Sequence, residues 1–158
     1  MEFELQTGTF ESTLDDKGRV VIPAPLRDKY TGNLVITQGL ENCVWIMTND
    51  VFNNFLKTLD NLNSTLSYEE IEAFRYQCEA PARPAAIDQK TGRIPVPPAL
   101  RSYAKLSRDC LLLSIDGHLE IWNNDEYTAF SSEKQLAAKE AKKKLDGKVS
   151  LFPKRGQE

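Results

Sequence analysis

The chain contains the same short passage twice. The run Asp15-Asp16-Lys17-Gly18-Arg19-Val20-Val21-Ile22-Pro23-Ala24-Pro25-Leu26-Arg27 returns as Asp88-Gln89-Lys90-Thr91-Gly92-Arg93-Ile94-Pro95-Val96-Pro97-Pro98-Ala99-Leu100-Arg101. From the glycine onward each partner lies 74 residues downstream, Gly18 to Gly92 and Arg27 to Arg101. Leu34-Val35-Ile36 then answers Leu111-Leu112-Leu113, Trp45 answers Trp122, and Asn49-Asp50 answers Asn124-Asp125. Self-similarity on this scale fixes the architecture before any local reading does, because it makes the chain a duplication of one supersecondary unit. Neither unit is large enough to bury its own sheet. The two must pack on each other about a pseudo-twofold axis.

Each copy reads alike. Asp followed within a few polar residues by Gly marks a tight turn, since Gly takes positive φ without steric cost. A β-branched run follows, Val20-Val21-Ile22 or Ile94-Pro95-Val96, and predicts a strand. Pro95 demotes the second of these to an edge or a bulge. Pro23 or Pro97 ends the strand, and Pro25 or Pro98 suits the first turn of a short helix through Leu26-Arg27 or Leu100-Arg101. Two hairpins come next: 34–37 with 43–47, and 110–115 with 119–122, the latter joined through Asp116-Gly117.

A helix closes each copy. Asn49 or Asp50 can cap the first, and Val51, Phe52, Phe55, Leu56, Leu59 and Leu62 form one apolar stripe at helical spacing. Ser67-x-x-Glu70 is a capping box for a linking helix with Ile71, Phe74 and Cys78 on one side. Asn123-x-x-Glu126 opens the last helix, and Asp146-Gly147 ends it near residue 145. The reading is an α+β fold of two strand–helix–hairpin–helix repeats, 8–62 and 81–135. A linking helix occupies 63–80, and a basic helical end with a mobile tail occupies 136–158.

Composition removes other classes. No apolar run approaches the roughly 18 residues of a membrane-spanning helix, and the acidic opening Met1-Glu2-Phe3-Glu4 lacks a signal pattern. A cytoplasmic protein with no membrane partner is expected. Cys43, Cys78 and Cys110 are dispersed among apolar neighbours and read as buried thiols rather than a disulfide framework. With a single His118 they do not make a zinc site, so neither metal nor cofactor is expected. Net charge is −3, but it is segregated: 49–80 carries net −4, whereas 88–108 and 139–158 each carry net +4. Local fields, rather than the average, steer a polyanion.

The Asp15-x-x-x-Arg19 signature with Ile22-Pro23 and Leu26-Arg27, followed by Gly92-Arg93-Ile94 and Leu100-Arg101, resembles the MraZ family. The resemblance covers roughly residues 8–135. It implies a bacterial transcriptional regulator whose tandem AbrB-like halves form a swapped-hairpin-type barrel. It also implies a homo-oligomeric ring that binds short direct repeats in double-stranded DNA. The expected setting is the nucleoid and the expected action is repression of the protein's own cell-division and cell-wall operon. The sequence departs from the family in three places. The second copy has one extra residue between Asp88 and Gly92; Pro95 interrupts its strand; and Met1–Gln6 replaces a short Phe-Arg-Gly-like opening that would carry an arginine.

The candidate DNA contacts are Arg19, Lys17 and Gly18 in the first copy and Arg93, Lys90 and Gly92 in the second. Arg offers a planar fork suited to phosphate or to the O6/N7 edge of guanine, and Lys offers a point charge for phosphate. Asp15 and Asp88 shape the loops; an internal Asp15–Arg19 ion pair that does only this is the competing reading. Arg27 and Arg101, each on a helix after Leu, are assigned structural or subunit-contact roles. Trp45 and Trp122 are assigned to the core, and Lys142-Lys143-Lys144 to a solvated helix end. An enzyme is disfavoured: there are no candidate catalytic residues and no small-molecule substrate is expected. No base–nucleophile pair is visible, and the chain has no Gly-Ser pair for self-processing. The other rival is an oligomeric interaction module or antitoxin-type scaffold without strong DNA binding.

Overall fold

The computed structural model describes residues 5–153, so the acidic opening segment 1–4 and the end of the basic tail lie outside the described residues. Fourteen elements follow one another in near-repeat order. The first repeat supplies β1 (Gly8–Thr13), β2 (Arg19–Val21), α1 (Ala24–Arg27), β3 (Leu34–Gln38), β4 (Val44–Thr48) and α2 (Asn49–Asp60). The link is α3 (Tyr68–Phe74), continued by a π-helical turn over Arg75–Glu79. The second repeat supplies β5 (Arg83–Ala85), β6 (Arg93–Pro95), α4 (Pro98–Tyr103), β7 (Asp109–Ile115), β8 (His118–Asn123) and α5 (Asn124–Leu145).

The strands pair across the duplication. One antiparallel sheet has the order β1-β7-β8-β4-β3-β5, and β2 pairs with β6 in a separate two-stranded ribbon. The opening strand of each repeat therefore joins the hairpin of the other: β1 lies on β7, with Phe10 opposite Leu112, and β5 lies on β3, with Leu34 opposite Ala85. The two hairpins meet at β4–β8, with Val44 opposite Ile121 and Ile46 opposite Leu119. The six-stranded sheet does not close into a barrel: β1 and β5 stand at its edges, and an isolated bridge, Leu14 to Val20, links β1 to the ribbon.

Local chemistry explains the turns that set this register. Ile115 pairs with His118, leaving Asp116-Gly117 as a two-residue loop with φ of 53° and 84°. Positive φ at both centres is the turn geometry that matches the twist of an antiparallel hairpin. Ser67 caps α3 through the expected reciprocal pair, with Glu70 N–H donating to Ser67 Oγ at 3.1 Å and Ser67 N–H donating to Glu70 Oε1 at 2.9 Å. The cap of α2 is Thr48, whose hydroxyl accepts from Val51 N–H at 3.3 Å, and not Asn49 or Asp50. β4 runs up to Thr48, so the last extended residue is the one placed to cap. The helix stops at Asp60, which leaves Leu62 of the expected stripe beyond its end.

The main core is built symmetrically from both copies. Val20 and Ile94, Ile22 and Val96, Leu26 and Leu100, and Tyr30 and Ala104 are all buried in one cluster with the inward faces of β3, β4, β7 and β8. A smaller cluster of Val35, Met47 and Phe52 lies on the other face of the sheet under α2. Strand alternation assigns Trp45 to that second face, because its neighbours Val44 and Ile46 point into the main core. Trp45 is consequently only half-buried, edge-on to Phe55 at 5.6 Å and to His118 at 5.4 Å, whereas Trp122 is fully buried as expected. All three cysteines are buried and unbridged.

The link between repeats is docked by polar contacts. Thr37 Oγ1 donates to the Cys78 carbonyl, and the Gly39 carbonyl accepts from Gln77 Nε2 at 3.2 Å and from the Tyr103 hydroxyl at 2.8 Å. The chain divides into two compact units, the first ending at Asn124. The second consists of the remainder of α5 and the residues after it. Asp125 and Glu126 lie in the first turn of this helix and Lys142, Lys143 and Lys144 in its last, the charge order that complements its dipole. No helix among the described residues is long and apolar enough to cross a membrane.

Candidate nucleic-acid interface

The two repeated loops meet on the β2–β6 ribbon. Its register sets Arg19 opposite Pro95, Val20 opposite Ile94 and Val21 opposite Arg93. Val20 and Ile94 are fully buried, so alternation turns Arg19, Val21, Arg93 and Pro95 to the outer face. Arg19 and Arg93 are then diagonal neighbours, a separation of roughly 7–8 Å between backbones that long side chains span easily.

The first loop is held by one carboxylate. Asp15 N–H donates to the Arg19 carbonyl at 2.8 Å, and Gly18 N–H donates to the Asp15 carbonyl at 3.0 Å. Asp15 Oδ1 accepts from the backbone N–H groups of Lys17 and Arg19, both at 2.9 Å, and Oδ2 accepts from Arg19 Nε at 2.9 Å. The backbone N–H of Arg19, more than any other partner, holds the Asp15 carboxyl below the ordinary carboxylate range; partial desolvation opposes it, and the Arg19 side chain and Lys17 N–H add to it. Asp15 therefore holds Arg19 at both its backbone N–H and its Nε. It does so as a fixed internal anion.

The second loop differs because of its extra residue. Asp88 N–H still donates to the Arg93 carbonyl at 2.8 Å, and Gly92 N–H to the Asp88 carbonyl at 2.6 Å. Asp88 Oδ1, however, accepts from Lys90 N–H at 2.9 Å and Thr91 N–H at 3.4 Å, two residues short of the arginine. Arg93 turns instead to the other loop, its Nε lying 3.5 Å from Asp15 Oδ2, an ionic contact rather than a hydrogen bond. One carboxylate thus gathers the arginines of both repeats. Their side chains keep 34% and 36% of their surface exposed, although Arg93 Nε itself is buried. Lys17 and Lys90 are exposed at the loop tips, beside the equally exposed Asp16 and Asp88.

Gly18 and Gly92 lie lower. Both are buried, at φ of 77° and 70°. Each carbonyl accepts from the other repeat, Gly18 from Val96 N–H at 2.9 Å and Gly92 from Ile22 N–H at 2.7 Å. Above each glycine lies a guanidinium of the other repeat. A Cβ on Gly18 would come within 2.9 Å of Arg101 Cζ, and one on Gly92 would overlap Arg27 Cζ. Arg27 is further fixed by donating from Nε to the Ile22 carbonyl at 2.7 Å. Sequence reasoning assigned Arg27 and Arg101 a structural or subunit role but did not connect them to the loops. The available signal was their fixed spacing from each glycine in both copies.

Comparison with known proteins follows this division into repeats. The family model for the MraZ protein, described as antitoxin-like, matches twice, over residues 5–72 and 80–147. The chain is similar to a protein named transcriptional regulator MraZ from Treponema denticola, with 35% identity over 140 residues that cover 88% of this chain and 96% of that one. A protein of the same name from Caldanaerobacter subterraneus subsp. tengcongensis is 32% identical over 139 residues, covering 88% and 95%. One from Paenarthrobacter aurescens is 30% identical over 135 residues, covering 84% and 91%.

Proposed function

The chain belongs to the MraZ family, and from that premise we propose that it regulates transcription by binding double-stranded DNA through its paired arginine loops. The observation that carries this reading is the convergence of Arg19 and Arg93 on Asp15, at the outer face of a two-stranded ribbon. β-Ribbons enter DNA grooves in other regulators. Two orientated guanidinium forks on such a ribbon suit guanine edges or phosphates. Lys17 and Lys90, exposed at the loop tips, add phosphate contacts. The shared carboxylate keeps the two like-charged arginines together in the absence of DNA. Asp16 and Asp88 oppose a polyanion, and with a net charge of −3 one chain binds weakly.

Specific affinity then comes from several copies, each reading one short direct repeat, so that avidity multiplies weak contacts. The proposed assembly is a homo-oligomeric ring in the cytoplasm, at the nucleoid. Its proposed action is repression of the protein's own cell-division and cell-wall operon, without enzymatic activity. Fluorescence anisotropy of the full chain on a labelled fragment of its own upstream region tests the reading. The expected result is binding that is lost when the direct repeats of that fragment are scrambled. Equal binding to intact and scrambled fragments contradicts sequence-specific regulation. No binding to either leaves the antitoxin-type scaffold as the better description.

A further inference from the structure

We infer that Arg27 and Arg101 are positioning residues for DNA binding, and that each acts on the loop of the repeat it does not belong to. The inference rests on the proposed reading of the loops as DNA contacts. Three observations carry it. The guanidinium of Arg101 covers Gly18, and that of Arg27 covers Gly92. The backbone crosses at the same places, since Val96 N–H donates to the Gly18 carbonyl and Ile22 N–H to the Gly92 carbonyl. Both glycines are buried although their neighbours Lys17, Asp16, Lys90 and Thr91 are exposed, so these arginines form the lid over the base of each loop.

A loop of four or five residues that carries a reading arginine at its end needs a rigid base. Its own repeat provides Asp15 or Asp88, which fixes the tip. The floor comes from the other repeat. Gly allows this because a guanidinium plane can lie flat on a backbone without a Cβ, and positive φ turns both N–H and carbonyl to useful partners. The consequence is reciprocal coupling: loosening Arg101 loosens the Arg19 loop, and loosening Arg27 loosens the Arg93 loop. The two latches are not equal. Arg27 Nε is held by the Ile22 carbonyl, whereas Arg101 Nε is buried without a hydrogen-bond partner among the described residues. Arg101 Nε thus lacks the anchor that Arg27 Nε has, and the Arg101 latch is the looser of the two.

The test uses the full chain with Arg27→Lys and Arg101→Lys, which keep stem and charge but lose the planar group, alongside the alanine variants. The first readout is the backbone amide shifts of Gly18 and Gly92 in a 1H–15N spectrum of uniformly labelled protein. The expected pattern is crossed: Arg101→Lys moves Gly18 most and Arg27→Lys moves Gly92 most. A pattern in which each arginine moves the glycine of its own repeat, or both glycines equally, overturns the inference. If an alanine variant fails to fold, the lysine variant carries the same comparison.

The second readout is affinity for the upstream fragment. Arg101→Lys combined with Arg19→Ala should be non-additive by roughly twofold or more, as for residues that act through one another, while Arg101→Lys with Arg93→Ala should be additive. Additivity in both pairs overturns the coupling. Wild-type protein that binds no DNA refutes the functional reading, and the crossed amide pattern still decides whether the latches exist.

Discussion

Replacing Gly92 by alanine separates backbone strain from the latch that Arg27 places over it. Gly92 has φ of 70°, and a Cβ there would collide with the Arg27 guanidinium. Gly32 has nearly the same backbone, with φ of 73°, but a Cβ on it meets nothing within 4 Å. The left-handed conformation costs a residue with a Cβ about 1–2 kcal/mol, offset by about 0.4–1 kcal/mol from the less flexible unfolded chain. Gly32→Ala should therefore destabilise by roughly 1 kcal/mol. Gly92→Ala bears the same penalty plus that of forcing atoms into a packed site, about 1–3 kcal/mol. At about 2–4 °C per kcal/mol for a domain of this size, Gly32→Ala should lower Tm by roughly 2–4 °C and Gly92→Ala by roughly 4–16 °C. Thermal melts followed by circular dichroism at fixed protein concentration measure both. Adding Arg27→Ala to Gly92→Ala removes the clash, so the double variant should fall well short of the sum of the single losses. Equal melting temperatures for the two glycine variants, or strict additivity in the double variant, would refute the claim that Arg27 covers Gly92.

Other regions make independent predictions. Thr48→Ala, which removes the cap of α2, should cost about 1 kcal/mol in urea unfolding, while Asn49→Ala should cost little. Trp122→Ala should cost about 3–5 kcal/mol, and Trp45→Ala clearly less, because only Trp122 is fully buried. Burial pushes the Glu120 carboxyl up, but hydrogen bonds from His118, Trp122 and Trp45 outweigh it and hold the group below its ordinary value. A carboxyl lowered on folding contributes stability that is complete above its unfolded value, about 4.3, and is lost as pH falls through the folded value. Glu120→Gln should accordingly flatten the fall in urea midpoint on acidification; an unchanged acid limb would count against the assigned contacts. Burial raises the thiols of Cys78 and Cys110 to about 11 and that of Cys43 further still. Iodoacetamide should leave all three unmodified in native protein near pH 8 and alkylate all three after unfolding.

What could be read from the sequence was what local chemistry decides. Asp116-Gly117 gave its hairpin, Ser67 and Glu70 gave their capping box, and the recurrence of Gly-Arg located the two loops. Asp15 and Arg19 are four apart and their pairing followed from spacing. Contacts between residues distant along the chain were not legible. The extra residue before Gly92 was visible, but not that it turns Arg93 towards the Asp15 of the first repeat. Nor could periodicity show that Arg27 and Arg101 lie on glycines of the opposite repeat, since both simply follow a buried Leu on a short helix. Trp45 misled because an apolar strand run buried on two faces does not say which face is the deeper.

The most direct test of the central claim is a titration of wild type, Arg19→Ala and Arg93→Ala against the labelled upstream fragment at about 50 and 200 mM salt, with oligomer size checked for each. Phosphate contacts make affinity fall steeply over that interval, in proportion to the number of ions displaced. The account predicts salt-sensitive binding by wild type and strong loss in both variants with the oligomer intact, because one ribbon face presents both arginines. Variants that bind as tightly as wild type, with the same salt slope, would show that Asp15, Arg19 and Arg93 form only an internal ion cluster and that the DNA contact lies elsewhere.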